Sequence, residues 1–166
     1  MRNCPVKLNL VKARRWIFAL ACGLIFCAAL SGCRTPQVWP PISLSEPGWK
    51  IFNGQAVWHP RPKAPELSGD VILALHTNGN AFVQFSKTLP FATARLDPNR
   101  WQIEFPSEGK KYSGRNPPVN YFVWPQLPWV LSNSNPPAPW KKTGDTHHWT
   151  LKNPRTGETL QGYFEP

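Results

Sequence analysis

Hydrophobic and polar residues follow two different patterns along this chain. Residues 16–30 are apolar apart from one glycine, whereas from residue 49 onward short apolar segments are separated by turn residues. Within Arg100–Phe105, RWQIEF, polar and apolar positions alternate strictly. Successive side chains on a strand point to opposite faces, so this alternation is typical of a strand with one buried and one solvated face. The pattern predicts β structure after residue 49.

Seven segments of this region have the composition of strands and are bounded by glycine, proline, asparagine or aspartate. The predicted strands are residues 49–58, 67–77, 81–87, 91–96, 100–105, 148–152 and 158–164. Gly54 indicates a β-bulge within the first strand. Asn78-Gly79 predicts a hairpin with a type I′ turn, because both central residues of that turn need positive φ. Residues 106–114 are polar and predict a turn-rich loop.

The segment at residues 119–131 is apolar and aromatic but contains Pro125 and Pro128. Each proline removes a backbone donor and clashes with the preceding turn, so only a short, broken helix is expected. Two predicted strands, 67–77 and 81–87, are apolar on both faces, and the 119–131 segment is the candidate cover for one face. The predicted fold is mainly β: a curved antiparallel sheet, half-barrel-like, with this proline-broken helical segment against it and a signal helix before it.

The apolar residues 16–30 follow Arg14 and Arg15 and end in small residues before Cys33. A basic region, a short apolar core and a small-residue cleavage site are typical of a secretory signal. The core of 15 residues is shorter than the roughly 20 that a membrane-spanning helix needs. An ordinary signal peptide and an uncleaved anchor remain alternatives. The arginine pair also fits a twin-arginine signal, although the rest of that pattern is weak.

The tetrapeptide Leu30-Ser31-Gly32-Cys33 resembles the lipobox of bacterial lipoproteins. The resemblance implies cleavage between Gly32 and Cys33, a diacylglycerol on the Cys33 thiol, and an acyl chain such as palmitate on the new amino terminus. Arg34 stands where an aspartate would favour inner-membrane retention, which implies a lipoprotein of the outer membrane that faces the periplasm. The expected organisation is a signal peptide at 1–32, a lipidated, proline-rich tether at 33–48 and one β domain at 49–166.

Cleavage would change the composition substantially. The whole chain has 19 basic and nine acidic residues, and five of the basic residues precede Cys33, so the mature chain would carry a balance of +5. No lysine or arginine run after Cys33 exceeds two residues, and we therefore expect no nucleic-acid partner. Three of the four cysteines would be removed with the signal peptide. No internal disulfide and no thiolate zinc site are expected.

The polar residues give no pattern of catalysis or metal binding. His147 and His148 are adjacent, so on a strand they point to opposite faces and do not readily share a metal ion. Asp70, Glu104 and Glu158 could pair as acid and base, but no nucleophile motif accompanies them, and they are interpreted as solvated charges. No glycine-rich phosphate loop is present. We predict no enzyme activity, no cofactor and no metal.

A lipobox followed by an antiparallel sheet with an apolar cover resembles the LolA/LolB family of half-barrel lipoprotein carriers and receptors. Residues 101–105 and 112–114 resemble paired strands of the half-barrel. Residues 127–131 and the prolines at 136–139 resemble the Leu-x-x-Trp-Leu helix of the receptor and the loop after it. The receptor also has a protruding loop with an exposed leucine, and residues 89–91 are the most similar apolar loop here.

The family resemblance implies an apolar cavity between the sheet and residues 119–131. Such a cavity would hold an acyl chain or a lipoprotein and would serve lipoprotein localisation, in a monomer attached to the membrane by Cys33. The candidate ligand-binding residues are Phe82, Phe85, Trp101, Ile103, Phe105, Trp124 and Trp129. The alternative is a structural or interaction lipoprotein of the envelope with a packed core and no ligand. Most of the tryptophans are interpreted as core residues.

Overall fold

The computed structural model describes residues 39–116, 121–132 and 134–166. The predicted signal peptide and Cys33 lie outside these residues, as does the first part of the predicted tether. A boundary between Ile42 and Ser43 separates two units, and the second unit contains every strand of the described chain. Its strands are β1 (Trp49–His59), β2 (Leu67–His76), β3 (Ala81–Ser86), β4 (Pro90–Leu96), β5 (Arg100–Phe105), β6 (Lys110–Arg115), β7 (Lys141–Gly144), β8 (His148–Lys152) and β9 (Thr159–Phe164).

All nine of these strands belong to one antiparallel sheet, which confirms the prediction of a mainly β fold. The strand order is β6-β5-β4-β3-β2-β1-β9-β8-β7, so β6 and β7 form its two edges and the sheet is not closed. Consecutive strands pair with each other except at one place. The last strand, β9, lies between β1 and β8 and joins the first six strands to β7 and β8.

Two strands were not predicted from the pattern of apolar residues. Strand β6 occupies most of the segment predicted as a turn-rich loop, and β7 has only four residues, KKTG. Both are edge strands with few apolar side chains, which is the reason that neither shows the alternation of a half-buried strand. Strands β5 and β6 do pair, with Trp101 opposite Gly114 and Ile103 opposite Tyr112, as expected for residues 101–105 and 112–114.

Two predictions about local geometry are wrong. The hairpin between β2 and β3 forms, but Gly79 alone of its two predicted turn residues has positive φ, so the turn is not type I′. His76 O accepts a hydrogen bond from Gly79 N, and His76 N donates one to Asn80 O. This is the pattern of a three-residue loop with a left-handed glycine. The register is regular through Gly54, and the irregularity lies between Phe85 and Ser86 instead.

Gly54 has a different role from the predicted one. A Cβ atom at this position would overlap the backbone oxygen of Tyr163 on the neighbouring strand β9. Glycine at this position allows β1 and β9 to approach each other closely near the middle of the sheet. The two strands pair antiparallel from Gly54 to His59, opposite Phe164 to Thr159.

The predicted broken helix is a short 3-10 helix, η2, at Trp124–Val130. Pro125 stands near its start, where the missing N–H has no helical partner, and Pro128 lies inside it. The side-chain ammonium of Lys142 on β7 donates to Val130 O at 2.6 Å and to Ser132 O at 2.7 Å. These bonds satisfy carbonyls at the end of the helix. A second 3-10 helix, η1 (Pro106–Glu108), connects β5 and β6.

The core lies on the face of the sheet that η2 covers, which we call the core face. Trp124 on η2 packs between Trp58 on β1 and Phe85 on β3, with ring centroids 5.2 Å apart in both pairs. The 3-10 helix contacts β2, β3, β4 and β8. The other face, which we call the open face, has no covering element among the described residues. The fully buried side chains of the core face include Val71, Leu73, Val83, Ile103, Leu127, Val130, Leu151 and Leu160.

Candidate functional site

The structure distributes the seven predicted ligand-binding residues over four environments. Phe85, Ile103, Phe105 and Trp124 belong to the packed core, and Phe85 and Trp124 are 2% and 1% exposed. The rings are in contact rather than arranged around an open space, because the centroid separations of 5.2–6.3 Å are those of packed aromatic pairs. These four side chains fill the core between the sheet and η2, of which Trp124 is the first residue.

The other three residues lie elsewhere. Trp101 is partly buried at the margin of the core, where its ring packs against Phe122 at 6.3 Å. Phe82 does not face the core: it lies between Val83 and the turn-proximal Ala81 on β3, with its side chain on the open face. The sequence pattern could not assign this face, since both faces of β3 carry apolar residues. Trp129 lines a pocket at one end of the sheet.

This pocket lies between η2 and the ends of β2, β3 and β4 that carry the two turns, and its volume is about 480 Å³. That volume falls within the range of small-molecule sites. We call it the η2 pocket. Its walls are mainly apolar, and polar groups are contributed by His76, Asn80, Asp97 and Gln126. The apolar lining residues are Leu75, Ala81, Leu96, Pro98, Pro125, Pro128, Trp129 and Pro137.

The polar side of the η2 pocket is held in place by the two turns. The Asp97 carboxylate accepts hydrogen bonds from the backbone N–H groups of Asn99 and Arg100, at 2.8 and 2.7 Å, and from the Arg100 guanidinium at 2.7 Å. The His76 ring contacts Pro47 O at 3.2 Å and lies 4.9 Å from the Trp49 ring. These groups are fixed at the margin of an otherwise apolar opening.

A second cavity lies on the open face and was not predicted. It is a groove of about 690 Å³ that crosses β2, β1, β9, β8 and β7, and we call it the open-face groove. Its side chains form two rows, in which each residue is the register partner of the next. The first row is Asp70, Gln55, Tyr163 and His148. The second row is Ser68, Val57, Gln161, Thr150 and Thr143.

Hydrogen bonds connect the first row of this groove. Tyr163 Oη donates to Gln55 Oε1 at 3.2 Å, and Gln55 Nε2 donates to Asp70 Oδ1 at 3.5 Å. The His148 ring lies 6.0 Å from the Tyr163 ring, with 32° between their planes. All four side chains are exposed to solvent, so their remaining donors and acceptors are available to a ligand.

The floor of the open-face groove is backbone rather than side chain. Between the two rows lie Gly69, Ala56, Gly162, Trp149 and Gly144, whose Cβ positions point to the core face. A Cβ atom at Gly162 would overlap Gln55 O on β1, so glycine allows the close approach of β9 and β1 beneath the groove. No motif in the sequence indicates this arrangement, because it depends on the register of strands that lie far apart in the chain.

Glu158 is the third candidate acid, and its interpretation as a solvated charge is wrong. Its side chain is buried, with 6% of the residue exposed, at the start of β9. Trp58 Nε1 donates to Glu158 Oε1 at 2.9 Å, and the backbone N–H of Val123, just before η2, also donates to this carboxyl group. Burial raises the pKa of Glu158 to about 7, an effect that these two hydrogen bonds partly offset.

The other candidate polar residues are dispersed. Asp70 lies in the open-face groove, whereas Glu104 on β5 pairs with Lys111 at 2.9 Å. Asp145 Oδ1 accepts the backbone N–H groups of His147 and His148, each at 2.7 Å, in the turn between β7 and β8. Within residues 39–116, 121–132 and 134–166, no three His, Cys, Asp or Glu side chains are grouped as metal ligands would be.

No protein-family model matches the chain, and no curated protein sequence matches it significantly. In the part of the chain that the structure describes, no helix has both the length and the apolar character required to cross a membrane.

Proposed function

We propose that this protein is a lipid-anchored envelope lipoprotein whose β domain binds an acyl chain, free or attached to another lipoprotein, in the η2 pocket. The observation that carries the proposal is the pocket itself, an apolar opening of about 480 Å³ between the sheet and the proline-broken helix. Trp129, one of the predicted ligand contacts, is part of its wall. Apolar walls with a few polar groups at the margin are suited to a chain with a polar end.

Two further observations support a relation to half-barrel carriers. In the strand order, β4 and β8 are separated by five inter-strand spacings, or roughly 24 Å in a flat sheet. The seven-residue η2 nevertheless contacts both strands, which supports a sheet that curves around the helix. In addition, Leu89 in the connection between β3 and β4 is 77% exposed, as expected for the apolar tip of a protruding loop.

The alternative function, an interaction lipoprotein without a ligand, is favoured by the packing of the core. Four of the predicted cavity residues fill the space beneath η2, so an acyl chain has no room there without rearrangement. The two proposals therefore differ in one respect: whether the η2 pocket admits an apolar chain from the end of the sheet.

Quenching of tryptophan fluorescence by a dibrominated fatty acid distinguishes these functions, since bromine quenches indole on contact. We expect the full chain in detergent to be quenched, and Trp129→Phe to lose most of the quenching. Trp149→Phe is the matched control, because Trp149 packs against Phe164 at 5.4 Å in another part of the core. Absence of quenching, or quenching that Trp129→Phe does not reduce, would favour the interaction lipoprotein.

The proposed membrane attachment through Cys33 is tested by a separate variant. Cys33→Ser removes the thiol that would accept the lipid, so we expect this variant to be absent from the lipidated membrane fraction, as a released or unprocessed chain. Two or more acyl chains are needed for stable anchoring. If mass spectrometry shows normal lipidation of the Cys33→Ser variant, the proposed lipid anchor at Cys33 is wrong. The proposed ligand binding in the η2 pocket would be unaffected by that result.

A further inference from the structure

The open-face groove is separate from the η2 pocket and requires a different kind of ligand. The two cavities lie on opposite faces of the sheet and have no lining residue in common. Among the described residues, Val57 is the only aliphatic side chain in the two rows, and the remainder carry hydroxyl, amide, carboxyl, imidazole or phenol groups. The lining of the open-face groove is less apolar than that of the η2 pocket, so an acyl chain would gain less apolar contact here.

The chemistry of the first row suits a ligand that is rich in hydroxyl groups. Gln55 and Asp70 present planar groups with several donor and acceptor positions, and Tyr163 adds a ring that is 38% exposed. A sugar has the same combination, with hydroxyls around its margin and C–H groups on its faces, so it can form hydrogen bonds and stack on a ring in one site. The Thr143, Thr150 and Gln161 side chains of the second row extend this surface.

The dimensions of the groove fit a chain of sugars rather than a single one. Four inter-strand spacings separate β2 from β7, so the groove is roughly 19 Å across the strands. The backbone floor between the rows gives a ligand space to lie flat against the sheet. A linear oligosaccharide placed across the strands would contact each pair of register partners in turn.

The charges at the groove are mixed, with Asp70 and Lys87 at its β2 end and two lysines beyond its β7–β8 end, so the acidic group of a ligand is expected at the β7–β8 end. Lys141 and Lys152 follow the second row on the open face of β7 and β8, and they are direct register partners. Like charges directly opposite each other on neighbouring strands repel. Lys87 contributes a third ammonium at the β2 end of the groove. Among the described residues, none of these three lysines forms an ion pair with a carboxylate. A carboxylate on the ligand would relieve the repulsion between Lys141 and Lys152.

We propose that the open-face groove binds an acidic glycan, a linear oligosaccharide that carries carboxylates. The sugar units lie across β2, β1, β9 and β8, with hydrogen bonds to the Asp70–Gln55–Tyr163 row and stacking on Tyr163. The glycan runs obliquely from the first row on β2 and β1 to the end of the groove on β7 and β8, where one of its carboxylates lies between Lys141 and Lys152. This site does not depend on the function of the η2 pocket, since it uses other residues on another face.

The test is isothermal titration of the full chain in detergent with tetragalacturonate, and with its methyl ester as a neutral ligand of the same length. A soluble muropeptide, an acidic glycan fragment of the cell wall, is the third titrant. We expect an acidic titrant to bind and the methyl ester to bind at least tenfold more weakly. Absence of binding by both acidic titrants overturns the proposal, and equal binding of the ester overturns the assignment of an acidic ligand.

Variants test the position of the site. Gln55→Ala removes the centre of the first row and is expected to weaken binding about tenfold. Lys141→Gln with Lys152→Gln is expected to weaken binding of the acidic titrant and to leave the ester unchanged. Lys111→Gln is the matched control, a lysine on the same face at the opposite edge strand β6. If Lys111→Gln weakens binding as much as the double variant, the glycan does not bind in this groove. Circular dichroism checks that each variant is folded.

Discussion

The two faces of the sheet are built from alternate residues of the same strands, but they differ in what lies above them. On the core face, large apolar side chains meet η2, and the η2 pocket opens at the end of the sheet where Trp129 lies. On the open face, polar side chains line an exposed groove with a backbone floor. One face of the sheet therefore forms the stabilising core and an apolar pocket, and the other presents a polar groove to solvent.

Two phenylalanines on β3, three positions apart, give the largest expected contrast between the faces. Phe85→Ala should lower the free energy of unfolding by about 3–5 kcal/mol, because it leaves a cavity beside Trp124 in the packed core. Phe82→Ala, on the open face of the same strand, is only partly buried and should cost less than about 2 kcal/mol. Urea denaturation of both variants measures the difference. Equal losses would contradict the assignment of the two faces.

The buried carboxyl group of Glu158 gives the next largest effect. The folded chain retains this proton up to about pH 7, whereas in the unfolded chain the pKa is near its ordinary value of 4.5. The free energy of unfolding should therefore fall by roughly 3 kcal/mol as the pH rises from 4.5 to about 7, and then level off. Denaturation measured between pH 4.5 and 8 detects this decrease.

The matched variants for Glu158 separate its titration from that of other acids. Glu158→Gln keeps an oxygen that can accept the Trp58 hydrogen bond and has no proton to lose, so most of the decrease should disappear. Glu104→Gln changes an acid that pairs with Lys111 at the surface of β5 and should leave the decrease in place. A pH profile that Glu158→Gln leaves unchanged would show that another group titrates.

Neighbouring lysines on β7 give the smallest contrast. Lys142→Met removes the two hydrogen bonds that hold the end of η2 and should cost about 1.5–2 kcal/mol. Lys141→Met, one residue earlier and exposed, should change stability by less than about 0.5 kcal/mol. The melting temperatures of the two variants are the measurement. A larger loss for Lys141→Met than for Lys142→Met would contradict the stabilising role of the two Lys142 hydrogen bonds.

Much of the sheet follows from local sequence, and the exceptions have physical causes. Arg100–Phe105 is recognisable because apolar and polar residues alternate along it, although Gln102 on the polar face is also buried. The edge strand Lys110–Arg115 has little burial on either face and shows no such pattern. The hairpin at Asn78-Gly79 is predictable from glycine, although its turn type is not. The proline-broken segment predicts a short helix against the sheet, and η2 is that helix in 3-10 form.

The candidate sites are harder to predict from the sequence than the sheet is. The apolar pattern predicts both Trp124 and Trp129 as ligand contacts and cannot separate them, since both lie in the same seven-residue helix. It also predicts Phe82 together with Phe85, although the two lie on opposite faces of β3, because both faces of this strand are apolar. The open-face groove combines Gln55 with Tyr163, 108 residues later in the chain, and only the pairing of β1 with β9 brings them together.

The central position of β9 has a consequence for the order in which the chain can fold during its synthesis or export. Strands β1 to β6 can form successive hairpins as they emerge, and so can β7 and β8, but the two groups have no ladder in common until β9 arrives. Closing that gap requires contacts across about 100 positions, which are slow to form because the intervening chain loses entropy. Until Thr159–Phe164 pairs, β1 and β8 each have an unpaired edge, and an unpaired edge is a template for pairing with another chain.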